Sequence, residues 1–134
     1  GTLDCCKHPS YQDLEGLRVS SHFFIDRSGR LFQYVSCLDR AWHAGVSSYE
    51  GRENCNDFSI GVELEGTDSA PYEQAQYETL GRLTDALAEA YPIKYVTGHS
   101  MIAPLRKTDP GPAFDWLTYE SLCTTGKPLC FPYV

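Results

Sequence analysis

Apolar and polar residues alternate along residues 18–26, with Val19, Ser21, Phe23 and Ile25 on one side and Ser20, His22, Phe24 and Asp26 on the other. That two-residue period predicts a strand. Arg27, Ser28, Gly29 and Arg30 supply a turn, with glycine where φ can become positive, and residues 31–35 return as the second strand of a hairpin. Residues 58–65 carry the clearest alternation: Phe58, Ile60, Val62 and Leu64 on one face, Ser59, Gly61, Glu63 and Glu65 on the other. The period then changes. Leu80, Leu83, Leu87 and Tyr91 recur at near-helical spacing, which predicts one long helix over residues 73–90 with its apolar stripe toward the sheet. Pro71 stands just before its start and Pro92 stops it. Residues 93–97 read as a short strand and residues 115–123 as a last short helix. Residues 1–17 are polar and turn-rich, residues 37–57 form a long irregular loop of the kind that often carries function, and the tail 124–134 has no pattern.

Strands interleaved with helices, and one hairpin, imply an α/β fold with a mixed sheet flanked by helices. At 134 residues the chain is read as one domain, 1–134. No apolar run reaches the ~18 residues of a membrane span. The formal net charge of −7 argues against a nucleic-acid partner, while leaving room for a local basic pocket around a small anion. Six cysteines without a C-x-x-C spacing read as reduced thiols. With no recognisable signal peptide, that leads to an expectation of cytoplasmic residence.

Chemistry concentrates in residues 97–116, where His99, Lys107 and Asp109 stand among Pro104, Pro110 and Pro112. His99 and Asp109 are ten positions apart and converge only if the intervening loop folds back. The prolines lower the entropy lost in ordering that loop. Lys107 and Asp109, two apart in an extended segment, project together. A histidine, a carboxylate and an ammonium on one stiff loop suggest two metal ligands and a charge stabiliser, although the same residues also serve as caps and surface polar groups. Glu63 and Glu65 share a strand face: a solvated surface, or a cleft floor where desolvation raises a carboxyl pKa toward that of a general base. His22 and His43 read equally as hydrogen-bonded structural residues, and Trp42 as a stacking platform or a lid over the core. No G-x-S-x-G elbow, nucleophilic cysteine motif, P-loop or dinucleotide fingerprint is present.

Four blocks in order, residues 18–30, residues 40–46 (Arg-Ala-Trp-His-Ala-Gly-Val), residues 55–68 with Gly-Val-Glu63-Leu-Glu65-Gly-Thr-Asp, and Gly98-His99 with Arg106-Lys-Thr-Asp-Pro-Gly-Pro-Ala-Phe-Asp-Trp116, resemble the AmpD-type N-acetylmuramoyl-L-alanine amidases. These belong to the zinc amidase group that includes phage T7 lysozyme and the peptidoglycan-recognition proteins. The resemblance covers residues 1–120 and leaves the tail unplaced. It implies a mixed sheet with a zinc site in a groove, and hydrolysis of the amide between muramic acid and L-alanine, the 1,6-anhydro sugar being the preferred form in cell-wall recycling. Carried over by position, it implies His99 and Asp109 as zinc ligands, Glu63 as the base that activates water, and Lys107 as the oxyanion stabiliser. Trp42, His43, Arg18 and Arg106 become substrate contacts, the arginines because a muropeptide stem carries carboxylates. His22 matches a family position near the groove without being a ligand. A non-catalytic muropeptide-binding module or an inactive fragment is the alternative.

The family's first zinc ligand is a histidine on an earlier strand, and no residue here takes that position. The expectation is therefore a chain lacking an N-terminal segment, its third ligand and its sheet completed by a separate N-terminal fragment.

Overall fold

The computed structural model describes residues 20–132. Three short strands form the sheet, β1 (Phe23–Ile25), β2 (Leu31–Gln33) and β5 (Val62–Leu64), in the order β2-β1-β5. β1 runs antiparallel to β2 and parallel to β5. A two-stranded ribbon, β3 (Ser48–Tyr49) with β4 (Arg52–Glu53), lies within the loop read as irregular. The long helix α1 spans Gln74–Ala90, and α2 (His99–Ile102) and α3 (Trp116–Leu122) complete the elements. The mixed α/β sheet with flanking helices is thus as expected, and among the described residues β1 is its middle strand.

Alternation is real where the strands are real. Phe23 and Ile25 are buried against Tyr77, Leu80 and Leu83 of α1, with Ile60, Val62, Leu64 and Leu87 packed around them. Phe58 departs from this pattern and joins a second small cluster around Ala44, Cys55 and Ile102. Among the described residues the strand expected over residues 18–26 begins at Phe23, and Ser20, Ser21 and His22 before it are buried. Ser20 N–H donates to Trp42 O, and the His22 and Phe23 amides both donate to Gly61 O, so the loops cover this segment instead of a regular ladder. Residues 93–97 form no strand; they make a single parallel bridge, Tyr95 to Cys130. The patternless tail therefore has a place: Cys130 pairs here, Phe131 packs edge-on against Tyr119, and Thr124 and Thr125 hydrogen-bond to Asp85 of α1.

One polar residue fixes α1. Gln76 is fully buried; its Oε1 accepts the Glu73 N–H at the helix start, and its Nε2 donates to the Glu65 carbonyl at 2.9 Å. One amide side chain thus caps the helix and ties it to the end of β5. Phe114 then centres an aromatic group with Tyr72, Tyr77, Trp116 and Tyr119, ring centroids 4.8–5.9 Å apart, which packs the end of the 97–116 loop onto the helix. Each such pair adds about 0.5–1.5 kcal/mol beyond its buried area.

Candidate active site

The 97–116 loop does fold back. Ser100 N–H, in the first turn of α2, donates to the carbonyl of Asp109 at 2.8 Å. The return is pinned from outside by the segment after β5: Thr108 Oγ1 donates to the Asp68 carboxylate, and Tyr72 Oη donates to the Pro110 carbonyl. His99 and Asp109 consequently meet, with Nδ1 and Oδ2 3.1 Å apart. Lys107 lies close enough to act on the same carboxylate. Burial tends to raise the Asp109 pKa, but the His99 hydrogen bond and charge, with Lys107, bring it below the usual carboxylate value.

His99 makes a second contact, from Nε2 to the carbonyl oxygen of Ala44 at 2.8 Å. A carbonyl oxygen only accepts, so Nε2 carries the hydrogen. Nδ1 then presents its lone pair to a carboxylate, and the two acceptors need a cation between them, a proton or a metal ion. The donor set fits zinc: one imidazole nitrogen and one carboxylate oxygen, with the other ring nitrogen oriented by a backbone carbonyl, the usual outer-shell arrangement of a ligating histidine. Among the described residues no third histidine, cysteine or acid joins them.

Ala44 belongs to the loop that carries Trp42 and His43. Asn56, buried in a 3₁₀ turn over Cys55–Asp57, fixes that loop by accepting the His43 and Ala44 amides on Oδ1 at 3.1 and 2.9 Å. The His43 ring lies directly on the Gly61 backbone, where a Cβ would come within 2.4 Å of its Cγ; only glycine allows that approach. Burial, helped by the neighbouring His22 and His99, lowers the His43 pKa to about 4, so the ring is neutral at pH 7. Its Nε2 lies 3.4 Å from Ser59 Oγ, whose own hydrogen goes to the Cys55 carbonyl. His22 is fully engaged, Nε2 on Asp39 O at 2.7 Å and Nδ1 accepting from Gly61 N–H, which makes it a structural histidine. Trp42 is half-exposed with the Arg40 guanidinium 4.4 Å from its ring.

The two glutamates separate. Glu65 Oε1 accepts the Arg27 amide at the β1–β2 turn, a structural task. Glu63 pairs with Phe24 across β1, which in turn pairs with Phe32, so the three share the sheet face opposite the Phe23–Ile25 core. Arg106 Nη2 donates to the carbonyls of Ala44 and Val46 at 2.6 and 3.0 Å. Arg18 lies outside the described residues. Sequence reasoning missed Ala44, Asn56 and Gly61. Ala44 acts only through its carbonyl, and nothing in side-chain chemistry signals that. An open groove of about 520 Å³, lined by Ser100, Met101, Thr108, Pro110, Phe114 and Trp116 among others, runs along the flank of the Asp109 turn.

Comparison with known proteins gives a consistent picture. Residues 1–112 match the family model described as N-acetylmuramoyl-L-alanine amidase. The chain is 56% identical over 126 residues to 1,6-anhydro-N-acetylmuramyl-L-alanine amidase AmpD of Citrobacter freundii, covering 92% of this chain and 67% of that protein. A crystal structure of a selenomethionine AmpD derivative superposes with a TM-score of 0.79 at 55% identity, over 87% of this chain and 66% of the other. The Escherichia coli amidase AmiD, in complex with anhydro-N-acetylmuramic acid-L-Ala-D-gamma-Glu-L-Lys, superposes with a TM-score of 0.76 at 36% identity, over 87% and 52% of the two chains. The chain thus spans about two thirds of the length of the AmpD proteins it matches.

Proposed function

The chain belongs to the N-acetylmuramoyl-L-alanine amidase family, and we propose that it hydrolyses the amide joining the lactyl group of 1,6-anhydro-N-acetylmuramic acid to L-alanine in peptidoglycan recycling. The observation that supports this best is the acceptor-to-acceptor meeting of His99 Nδ1 and Asp109 Oδ2, with Nε2 turned to Ala44. These two atoms would hold Zn²⁺. A third ligand would come from a segment outside residues 20–132, on this polypeptide or on a separate N-terminal piece. Bound there, zinc supplies a more acidic water and a polarised carbonyl.

The remaining work falls to the chain's own residues. Glu63 takes a proton from the attacking water as the new C–O bond forms, and returns a proton to the nitrogen of L-alanine as the C–N bond breaks. The Lys107 ammonium faces the negative charge that develops on the carbonyl oxygen. Trp42 offers an aromatic surface beside the site, and His43, neutral at pH 7, contributes hydrogen bonding without charge. Arg18 meets a stem-peptide carboxylate. The four described cysteines, Cys37, Cys55, Cys123 and Cys130, are free, and no described helix is long and apolar enough to cross a membrane. The reading is tested by incubating the zinc-loaded protein with anhydromuropeptide and following release of free L-alanyl peptide by mass spectrometry. A protein that binds the muropeptide and releases nothing would be a binding module instead.

A further inference from the structure

We infer that Arg106 is a positioning residue for His99, acting through the Ala44 carbonyl that both side chains share; this rests on the reading of His99 as a metal ligand. The carbonyl receives two donors, His99 Nε2 at 2.8 Å and Arg106 Nη2 at 2.6 Å. The same Nη2 reaches the Val46 carbonyl at 3.0 Å, so one nitrogen spends its two hydrogens bridging the turn on either side of Gly45. That turn is at the surface, with Val46 84% exposed, and the buried Asn56 holds only its start. Gly45 has φ +64° and lies under the guanidinium, where a Cβ would come within 2.6 Å of Nη2. Both features suit a backbone shaped to receive this arginine.

The consequence reaches the ring. His99 keeps its hydrogen on Nε2, and its lone pair on Nδ1 toward Asp109, only while the Ala44 carbonyl stays aimed at Nε2. Arg106 also sits at the end of the turn after α2, with its amide bonded to Ala103 O, as is that of Lys107. One side chain therefore fixes the His99 tautomer and joins the Ala44 loop to the segment presenting Lys107.

The test compares the unsubstituted chain with Arg106→Met, which keeps the alkyl stem and removes the donors, and with Arg106→Lys, which restores a donor. Zinc affinity is measured by competition with a chromophoric chelator, and the His99 Nε2–H hydrogen bond to Ala44 by ¹H–¹⁵N spectra of the imidazole, with the tautomer read in the zinc-loaded protein. Arg106→Met should bind zinc about tenfold more weakly, the low end of outer-shell effects. It should weaken the Nε2–H hydrogen bond while its urea midpoint holds, and Arg106→Lys should recover most of both. Gly45→Ala, whose methyl displaces the guanidinium, should move zinc affinity and the hydrogen bond in the same direction, and it serves if Arg106→Met does not fold. Unchanged zinc affinity and hydrogen bond, with only KM for the muropeptide raised, would overturn the inference and make Arg106 a substrate contact. An unsubstituted protein that binds no zinc would refute the metal reading, and the hydrogen-bond comparison would still decide the role of Arg106.

Discussion

Asp109 Oδ2 lies 3.1 Å from His99 Nδ1, on the side of the ring that has no hydrogen in the neutral imidazole when Nε2 donates to Ala44. A carboxylate and an imidazole lone pair at this distance compete for one cation. If that cation is zinc in the working enzyme, Asp109→Ala should abolish retention of zinc through gel filtration, as read by elemental analysis. Chelation of the unsubstituted protein should remove metal and amidase activity together, with zinc restoring both. Full activity after complete metal removal would refute the assignment.

Glu63 and Lys107 should separate from the ligands by the opposite pattern. Glu63→Gln and Lys107→Ala are each expected to reduce kcat by at least ~10²-fold, within the range for a general base and an oxyanion donor. Both should keep their zinc. Loss of metal in Glu63→Gln would mean that the glutamate is a ligand and that the proton acceptor lies elsewhere. Glu65→Gln should leave turnover nearly intact, because Glu65 serves the Arg27 amide.

The sequence carried some of this site plainly and hid the rest. His99, Lys107, Asp109 and Glu63 could be singled out as candidates because their chemistry is in the side chain, and the structure brings His99 and Asp109 together. The helix 74–90 was legible because Leu80, Leu83 and Leu87 repeat with its pitch. Gln76 was not: a polar residue in a helix reads as solvated, yet it is the fully buried link between α1 and β5. The strand expected over residues 93–97 failed for a related reason. Its partner is the tail at Cys130, one bridge long, and local alternation carries no information about how far a pairing extends. Arg106 was read as a substrate contact; the structure adds two backbone carbonyls as partners of its guanidinium, which a sequence does not distinguish from any others.

His43 should leave a signature in stability against pH. Its folded pKa, about 4, is below the ordinary 6.5, mainly through burial and then through His22 and His99. The unfolded chain therefore takes up a proton between pH 6.5 and pH 4 that the folded chain refuses. Stability from this group is complete above about pH 6.5 and falls as the pH drops to about 4, by about 3 kcal/mol in all. Urea midpoints measured across that window should decline more steeply for the unsubstituted protein than for His43→Gln. Parallel curves would show that His43 titrates normally and is not buried as described.

The tail offers the last test, because its attachment was invisible in the sequence. The Asp85 carboxylate accepts hydrogen bonds from Thr124 N, Thr124 Oγ1 and Thr125 N, all between 2.8 and 3.0 Å. Burial tends to raise its pKa, but these donors bring it below the usual value, so the clasp persists into mild acid and is lost as the pH falls through the lowered folded pKa. Beyond the clasp, Cys130 N–H donates to Lys94 O and Val96 N–H to Cys130 O, which places the chain leading to His99 beside the tail. Asp85→Ala should cost on the order of 1 kcal/mol, the net worth of a few exposed hydrogen bonds. It should also raise hydrogen exchange at the Val96 and Cys130 amides well before it affects those of α1. Equal protection at Val96 and Cys130 in both proteins would show that the Tyr95–Cys130 bridge holds the tail without Asp85.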